Sequence, residues 1–216
     1  VALTYDTAIA ELKKAIEIFP EYADCYNQLG LVFYKQKKYK ESYENYTLAI
    51  KYNNTNAVFH NNIGTLFFET QDYNSALKAI TKAVELDPHY TDALANLGST
   101  YGTLKDYDNA IVYLQRCIKE DPNYTNAYFF LSITYGFKGD KQNEALYKQK
   151  FEFAYIFCRH RQDGLGRAAE SLYKKMAQWL ENTFEPDDYY TEGYVVHTLD
   201  SNFREYLIDF REEKYY

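Results

Sequence analysis

Side-chain amides recur along this chain at a constant interval of 34 residues. The positions are Gln28, Asn62 and Asn96 in one series and Asn27 and Asn61 in a second, and another slot adds the single residue Asn126. A carboxamide carries one acceptor and two donors, so it can pair with both polar groups of a peptide bond. A row of amides would therefore hold a polypeptide backbone without demanding a particular sequence. The alternative is that they are solvated polar residues on an exposed helix face, since asparagine is frequent throughout the chain.

The remaining reactive side chains do not form a catalytic or metal-binding pattern. The four histidines lie in unrelated places with no spacing typical of a metal-ligand set. Gly164 and Gly166 before Arg167 could cradle an anion, but without a preceding strand or a following Lys-Ser/Thr they are more typical of a helix break. The sequence therefore predicts a chain that is not an enzyme and that uses no cofactor and no metal.

The cysteines and the net charge restrict the compartment and the partners. Cys25, Cys117 and Cys158 are odd in number and lack CxxC spacing, so we interpret them as structural thiols. Reduced thiols favour the cytoplasm or another reducing compartment. The formal charge of −7 argues against nucleic acid as a partner, and no apolar stretch approaches the length needed for membrane insertion.

The elements that must position the amides recur with the same interval of 34. The series include Gly30, Gly64 and Gly98; Ala8, Ser42, Ala76 and Ala110; Tyr5, Tyr39, Tyr73 and Tyr107; and Pro20, Pro88 and Pro122, with Asn54 in the slot between the first two prolines. Units of this length cannot bury their apolar face alone and must stack on their neighbours. Glycine and small residues let paired helices approach closely, while Leu, Phe and Tyr fill the contact at i, i+3, i+4 spacing. Asp72 and Asp106 are placed to cap the second helix of their units.

With these residues in place, the pattern resembles the tetratricopeptide repeat. The stretch 26–33, with its Leu29-Gly30 pair and Phe33, is similar to the family's large–x2–Leu–Gly–x2–Tyr motif, and 60–67 and 94–101 repeat it. The resemblance implies an all-α, right-handed superhelical solenoid of antiparallel helix pairs. It also implies a concave groove, lined by the first helix of each pair, that binds an extended peptide or a partner helix.

The phase of the repeat predicts the organisation of the whole chain. We expect an orphan second helix in 1–22, full repeats in 23–56, 57–90 and 91–124, a degenerate repeat with a long second helix in 125–161, a capping helix in 162–185, and a C-terminal tail with a short amphipathic helix in 186–216. The loop after Lys138 is interpreted as one residue longer than its equivalents, so that Ala145 arrives one position late. Self-association through the unpaired N-terminal end is a further expectation.

The family resemblance also implies the residues of the groove. They are Asn27, Gln28, Asn61, Asn62, Thr65, Asn96, Ser99, Asn126, Phe129 and Phe130. The amides resemble the asparagine ladder in the repeat domain of O-linked N-acetylglucosamine transferase. The lysines and arginines with which some co-chaperones hold a C-terminal carboxylate are absent from these slots, and Asp24 and Asp92 would repel one. We therefore do not expect a carboxylate clamp.

Two questions stay open at this point. Phe129, Phe130 and Ile133, with Phe68 and Phe137 deeper, either bind the apolar face of a partner or pack against the apolar stripe of the tail in 203–210. The leading interpretation of the whole chain is a protein–protein interaction scaffold that binds a protein or a peptide. The alternatives are a structural subunit of a larger assembly, or the repeat region of a longer multidomain enzyme.

Overall fold

The computed structural model of the chain describes residues 5–162, with side chains described over 5–152, and the described secondary structure is entirely helical. The helices of this part are α1 (Tyr5–Ile18), α2 (Ala23–Lys35), α3 (Tyr39–Tyr52), α4 (Ala57–Glu69), α5 (Tyr73–Leu86), α6 (Thr91–Thr103), α7 (Tyr107–Glu120), α8 (Thr125–Lys138) and α9 (Lys141–Gln162). None of them is long and apolar enough to cross a membrane.

The chain divides into two compact units, Val1–Cys158 and Arg159–Tyr216. Apart from Gln162, which ends α9, the residues of the predicted capping helix lie outside the described part, as does the whole tail from 186 to 216.

Consecutive helices of the first unit pack in pairs. In the pairs α2–α3, α4–α5 and α6–α7, the second helix also packs on the first helix of the next pair. The first helices α2, α4, α6 and α8 contact one another in series, whereas α3, α5 and α7 make no contact with each other. Since neighbours lie closer on the inside of a curved stack, the first helices occupy its concave side. The predicted all-α superhelical stack is confirmed.

Glycine permits the close approach within each pair. A Cβ atom at Gly30 would lie 2.5 Å from Cδ1 of Tyr46, and one at Gly98 would lie 2.6 Å from Cγ of Leu114. The Ser42 hydroxyl, fully buried in the same contact, donates a 2.8 Å hydrogen bond to the Gly30 carbonyl oxygen. The periodic glycines and small residues are therefore required by helix contact and not by turns.

The largest apolar core runs through the middle pairs and into α8. Leu94, Leu97, Leu114 and Leu131 are fully excluded from solvent within it. Complete burial of such a side chain contributes about 1.5–3 kcal/mol. Because these residues come from three different helices, the core joins successive repeats and makes the first unit a continuous stack.

The turn between the two helices of each pair has the same backbone geometry in four successive units. It contains one residue with positive φ: Lys37 at 60°, Gln71 at 63°, Lys105 at 64° and Gly139 at 83°. In the third turn, Lys105 N–H bonds to the Gly102 carbonyl and Asp106 N–H bonds to the Tyr101 carbonyl. This is the Schellman arrangement, in which a left-handed residue ends a helix. Only the fourth turn uses glycine there.

The aspartates that follow these turns cap the second helices, as predicted. Asp72 Oδ1 accepts from Ser75 N–H at 3.2 Å, and Asp106 Oδ1 accepts from Asn109 N–H at 3.3 Å. Each acceptor satisfies a backbone donor that has no partner within its helix.

The prediction of a longer loop after Lys138 is wrong. Asp140 Oδ1 accepts from Asn143 N–H at 3.0 Å, so this cap lies 34 residues after the cap formed by Asp106. The position of the small residue Ala110 is therefore taken by Glu144, not by Ala145. Gly136 on α8 makes room for the larger side chain, since a Cβ there would lie 3.0 Å from Cδ of Glu144.

Candidate functional site

The candidate site is the inner face formed by the first helices α2, α4, α6 and α8. Because each begins 34 residues after the last, equivalent residues form rows across the face. The row at the second helical position contains Asp24, Val58, Asp92 and Asn126, all of which are exposed. The row four residues later contains Gln28, Asn62, Asn96 and Phe130. The stack thus presents aligned side chains to any segment that crosses the face.

The asparagines of this face are hydrogen-bonded to each other across neighbouring repeats. Asn62 Nδ2 donates to Asn27 Oδ1 at 2.9 Å, and Asn96 Nδ2 donates to Asn61 Oδ1 at 2.9 Å. Asn96 Nδ2 also lies 3.3 Å from Thr65 Oγ1, which itself donates to the Asn61 carbonyl at 3.0 Å. The amides therefore form links between first helices.

Two of the predicted groove residues are buried between helices. Asn27 is 4% exposed and Asn61 is 5% exposed, because their position faces the next first helix in the stack. Asn61 also hydrogen-bonds to Tyr90, whose pKa is raised mainly by burial and lowered in part by this bond. Both asparagines hold neighbouring repeats together, and neither side chain is open to the face.

Asn62 and Asn96 remain half-buried and keep their carboxamide oxygens available. No hydrogen bond from the described part of the chain reaches either oxygen. Ser99 is also half-buried, while Gln28 and Asn126 are exposed. The accessible polar groups of the face are thus fewer than the sequence predicted.

Exposed apolar residues lie along α8 at its edge toward the end of the described stack, in the positions where Asn61 and Thr65 of α4 contact Asn96 of the next first helix. Phe129 is 43% exposed, Ile133 is 40% exposed and Phe137 is 71% exposed, and the four-residue spacing places them on one side of the helix. The ring of Phe129 packs on that of Phe151 of α9 at 5.2 Å between centroids, with the two ring planes tilted by 47°, whereas Phe130 is half-buried against the main core.

The expectation that Phe137 lies deeper than Phe129, Phe130 and Ile133 is wrong. Its side chain is more exposed than those of Phe129 and Ile133, and its ring stacks on that of Tyr107 at 5.9 Å between centroids. Its place eight residues after Phe129 on one helical stripe was the sequence signal that could have identified it.

The exposed charged residues at the N-terminal ends of the first helices are acidic. Asp24 and Asp92 occupy the first turns of α2 and α6, and both are exposed. Asp92 Oδ1 accepts a 3.0 Å hydrogen bond from the Tyr124 hydroxyl. Burial, and then the charge of Asp92, raise the pKa of Tyr124. Lys35 and Glu69 are both exposed and are the last residues of α2 and α4, so each lies at the C-terminal end of its helix.

The histidines and cysteines of the described part do not meet in a reactive site. His60 Nε2 lies 3.0 Å from the Asn54 carbonyl oxygen, and His89 Nδ1 lies 2.9 Å from Glu120 Oε2 at the surface. Cys117 is a buried free thiol whose pKa is raised by burial to about 12. Within residues 5–152, no three metal-ligating side chains are grouped.

Comparisons with known proteins agree with this architecture. A family model described as TPR repeat matches residues 4–37 and 30–71, and models described as tetratricopeptide repeat match 57–90 and 91–124. Together these matches cover more than half of the chain. Among curated proteins, none matches this sequence significantly.

Solved structures show the same fold at low sequence identity. Pseudomonas aeruginosa pilF is 22% identical with a TM-score of 0.65, over 82% of this chain and 84% of that one. MamA is 23% identical with a TM-score of 0.64, over 70% of this chain and 89% of that one. YrrB, described as a TPR protein with an unusual peptide-binding site, is 23% identical with a TM-score of 0.60, over 69% of this chain and 77% of that one.

Proposed function

Because this chain belongs to the tetratricopeptide repeat family, we propose that it binds an extended segment of a partner protein across the inner face of its first helices. The chain is a protein-interaction scaffold. The proposal adds which surface it uses, the inner face, and which form its ligand takes, an extended segment. YrrB, which shares the fold, is described as having a peptide-binding site, and this supports a peptide as the ligand.

The observation that carries the proposal is the row of half-buried amides on the inner face, with an exposed apolar edge beside it on α8. Carboxamide oxygens at Asn62 and Asn96 are followed by the exposed apolar stripe of α8, of which Phe137 is the most exposed member. The oxygens can accept from backbone N–H groups, and the stripe can cover an apolar side chain. An extended peptide with at least one apolar residue uses both features.

The amide links give this face a fixed shape before any ligand arrives. Asn62 and Asn96 are each held by a hydrogen bond to a buried acceptor on the preceding first helix. Ordering these side chains therefore costs little on binding. Each net hydrogen bond contributes about 0.5–1.5 kcal/mol, so a few of them with one apolar anchor correspond to a Kd in the micromolar range.

The test uses variants of exposed residues that take no part in the amide links. Peptides are selected from a random library on the immobilised full chain, and their affinities are measured by fluorescence anisotropy. We expect Gln28→Ala with Phe137→Ser to weaken binding by at least about tenfold, since both a polar and an apolar contact are lost.

The matched control is Asn74→Ala with Val112→Ser. These residues are exposed on the second helices α5 and α7, away from the proposed face. Unchanged affinity is expected for this pair. Equal losses in both pairs, or no loss in the first, would contradict binding at the inner face.

A second candidate function is a structural subunit that associates through its N-terminal end. Ile18 is 69% exposed, Phe19 is 65% exposed and Tyr22 is 53% exposed, and these residues line an open apolar cleft after α1. The equivalent Tyr90 and Tyr124 are half-buried against the preceding first helix. Association that is abolished by Phe19→Ser and unaffected by Phe137→Ser would favour this function. The interpretation as part of a longer enzyme stays a prediction.

A further inference from the structure

We infer that the segment bound at the inner face adopts the polyproline II conformation, with a backbone N–H group at every third residue and proline accepted between those residues. This inference rests on the proposed function, and it narrows an extended ligand to one backbone conformation and one sequence rule. It follows from the row of Gln28, Asn62, Asn96 and Phe130, and from the distance between successive first helices.

The acceptors of this row recur in equivalent settings. Asn62 Nδ2 and Asn96 Nδ2 each donate at 2.9 Å to an asparagine oxygen on the preceding first helix. The donor group of each amide is thus directed at the preceding repeat, while its oxygen accepts no hydrogen bond from the described residues. Gln28 has an exposed carboxamide at the same position of α2. The row therefore offers acceptors for backbone N–H groups, each separated from the next by one repeat.

The distance between these acceptors matches one turn of polyproline II. Helices that pack on one another have interaxial distances of about 8–10 Å, so a ligand that uses this row needs N–H groups on one side at that interval. In polyproline II, three residues complete one turn and advance together by about 9.3 Å. Residues i, i+3 and i+6 of the ligand therefore face three successive first helices.

The other regular conformations do not fit this row. A β-strand points to the same side at every second residue, so its equivalent groups recur at about 6.7 Å or about 13 Å. An α-helix uses its N–H groups in its own hydrogen bonds, so amide oxygens of another molecule cannot accept from them. Polyproline II has no internal hydrogen bonds and leaves its N–H groups free. The interval and the open acceptors thus select the same conformation.

The end of the row on α8 adds an aromatic ring. The fourth position holds Phe130, which is half-buried against the main core with its ring centroid 5.8 Å from that of Phe129. A ligand residue opposite this ring needs no N–H group, so proline can pack there without losing a hydrogen bond. Aromatic side chains are also the usual contacts of proline-rich segments in this conformation. The expected ligand has N–H groups at three positions spaced three residues apart and accepts proline at the next such position, in either chain direction.

The experiment uses the full chain and capped synthetic peptides of equal length. The main probe repeats Pro-Pro-Ala four times and so has an N–H group at every third residue. Oligoproline keeps the conformation but has no N–H group within the chain. A peptide that repeats Pro-Ala six times has N–H groups at every second residue, so on any one side of the polyproline II turn only every sixth residue presents one. Binding is measured by NMR titration of the isotope-labelled protein, which also identifies the residues affected.

Two pairs of protein variants test the acceptors. Asn62→Leu and Asn62→Asp both remove the Nδ2 donor and with it the link to Asn27, but only Asn62→Asp keeps oxygen acceptors on the side chain. The difference between them therefore isolates the acceptor from the link. Gln28→Ala removes the exposed amide of α2, and its matched control is Gln142→Ala, an exposed glutamine on the second helix α9.

We expect the Pro-Pro-Ala peptide to bind with shift changes at the amide row. Each lost hydrogen bond weakens binding by about two- to tenfold. The Pro-Ala peptide should therefore bind about two- to tenfold more weakly, and oligoproline more than about tenfold more weakly. Asn62→Leu should bind about two- to tenfold more weakly than Asn62→Asp, and Gln28→Ala should show a similar loss. Gln142→Ala should bind as the unsubstituted chain does.

Three results with these peptides would overturn the inference. They are an oligoproline or a Pro-Ala peptide that binds as tightly as the Pro-Pro-Ala peptide, equal affinities of the two Asn62 variants, and no binding by any of the three peptides.

A proline scan of a peptide selected on the immobilised chain separates this inference from the proposed function. If proline weakens binding at every third residue, both are supported. If proline weakens binding at every second residue or evenly, while Gln28→Ala with Phe137→Ser also weakens it, the polyproline II ligand is excluded and the groove remains. If the selected peptides are insensitive to that pair of substitutions, both are overturned.

Discussion

Asn62 Nδ2 donates a 2.9 Å hydrogen bond to Asn27 Oδ1 on the preceding first helix. Asn96 and Asn61 repeat the same bond one repeat later, again at 2.9 Å. Both acceptors are almost completely buried. A buried polar group that loses its partner costs about 1–3 kcal/mol, so each link favours one stacking register of adjacent repeats over any displaced one.

The amide links should appear as coupling in unfolding experiments. We expect Asn61→Ala and Asn96→Ala to be non-additive, with a coupling energy of about 1 kcal/mol, because the two side chains share one hydrogen bond. Urea unfolding of the two single variants and the double variant measures this. Asn74→Ala, an exposed residue of α5, serves as the control and should change the stability by less than about 0.5 kcal/mol. Strict additivity would show that the bond contributes nothing in solution.

Two glycines of the first helices should respond to alanine in opposite directions. A Cβ at Gly64 would collide with the Ile80 side chain and lie 3.2 Å from the Ile80 backbone nitrogen, whereas one at Gly102 has its nearest neighbours at 3.8 Å. We expect Gly64→Ala to destabilise by about 1–3 kcal/mol through overpacking. Gly102→Ala should stabilise by up to about 1 kcal/mol through helix propensity. Thermal unfolding of the two variants measures both changes. If Gly102→Ala loses as much stability as Gly64→Ala, the close-approach argument is refuted.

The left-handed turn residues offer a stabilising substitution. Lys105 has φ 64° and is exposed, and a non-glycine residue in this region costs about 1–2 kcal/mol. Lys105→Gly removes that cost, although it adds about 0.5–1 kcal/mol of unfolded-chain entropy, so a net gain of about 0.5–1 kcal/mol is expected.

Lys78→Gly, at an exposed position in the interior of α5, is the control for this substitution and should lose about 1 kcal/mol. Urea midpoints compare the two variants. A destabilised Lys105→Gly chain would mean that the lysine side chain, and not the backbone, supports the turn.

Stability should fall at alkaline pH, in part through Cys117. Burial raises the pKa of this thiol from 9.0 to about 12. Above pH 9 the unfolded chain loses the thiol proton while the folded chain keeps it, so the unfolded state binds fewer protons and the free energy of unfolding decreases. The contribution of Cys117 to the free energy of unfolding is complete below pH 9 and is lost progressively as the pH rises to about 12.

The measurement for Cys117 compares the unsubstituted chain with Cys117→Ala by urea unfolding between about pH 8 and 11. One proton corresponds to about 1.4 kcal/mol per pH unit, and the slope of the variant should be shallower by up to that amount. Identical slopes would show that the thiol ionises as readily in the folded chain as in the unfolded one.

Much of the fold was determined locally by the sequence. Gly30 and Gly98 fix where two helices approach, and Asp72 and Asp106 fix where second helices begin. Each of these requirements involves residues close together in one repeated unit, so it leaves a visible period of 34. The helix pairs and their stacking followed from that period, because an apolar face that recurs must be buried against the next unit.

The accessible surface was decided only by the tertiary structure. Asn27 and Gln28 are adjacent in sequence and equal in chemistry, yet Asn27 is buried under the next first helix and Gln28 is exposed. The longer loop expected after Lys138 is absent for a similar reason, since Gly136 makes room for Glu144 across the helix contact. Spacing along the chain specifies which residues are equivalent. Which of them remains open to a ligand depends on the neighbouring repeat that packs against it, and no local pattern encodes that contact.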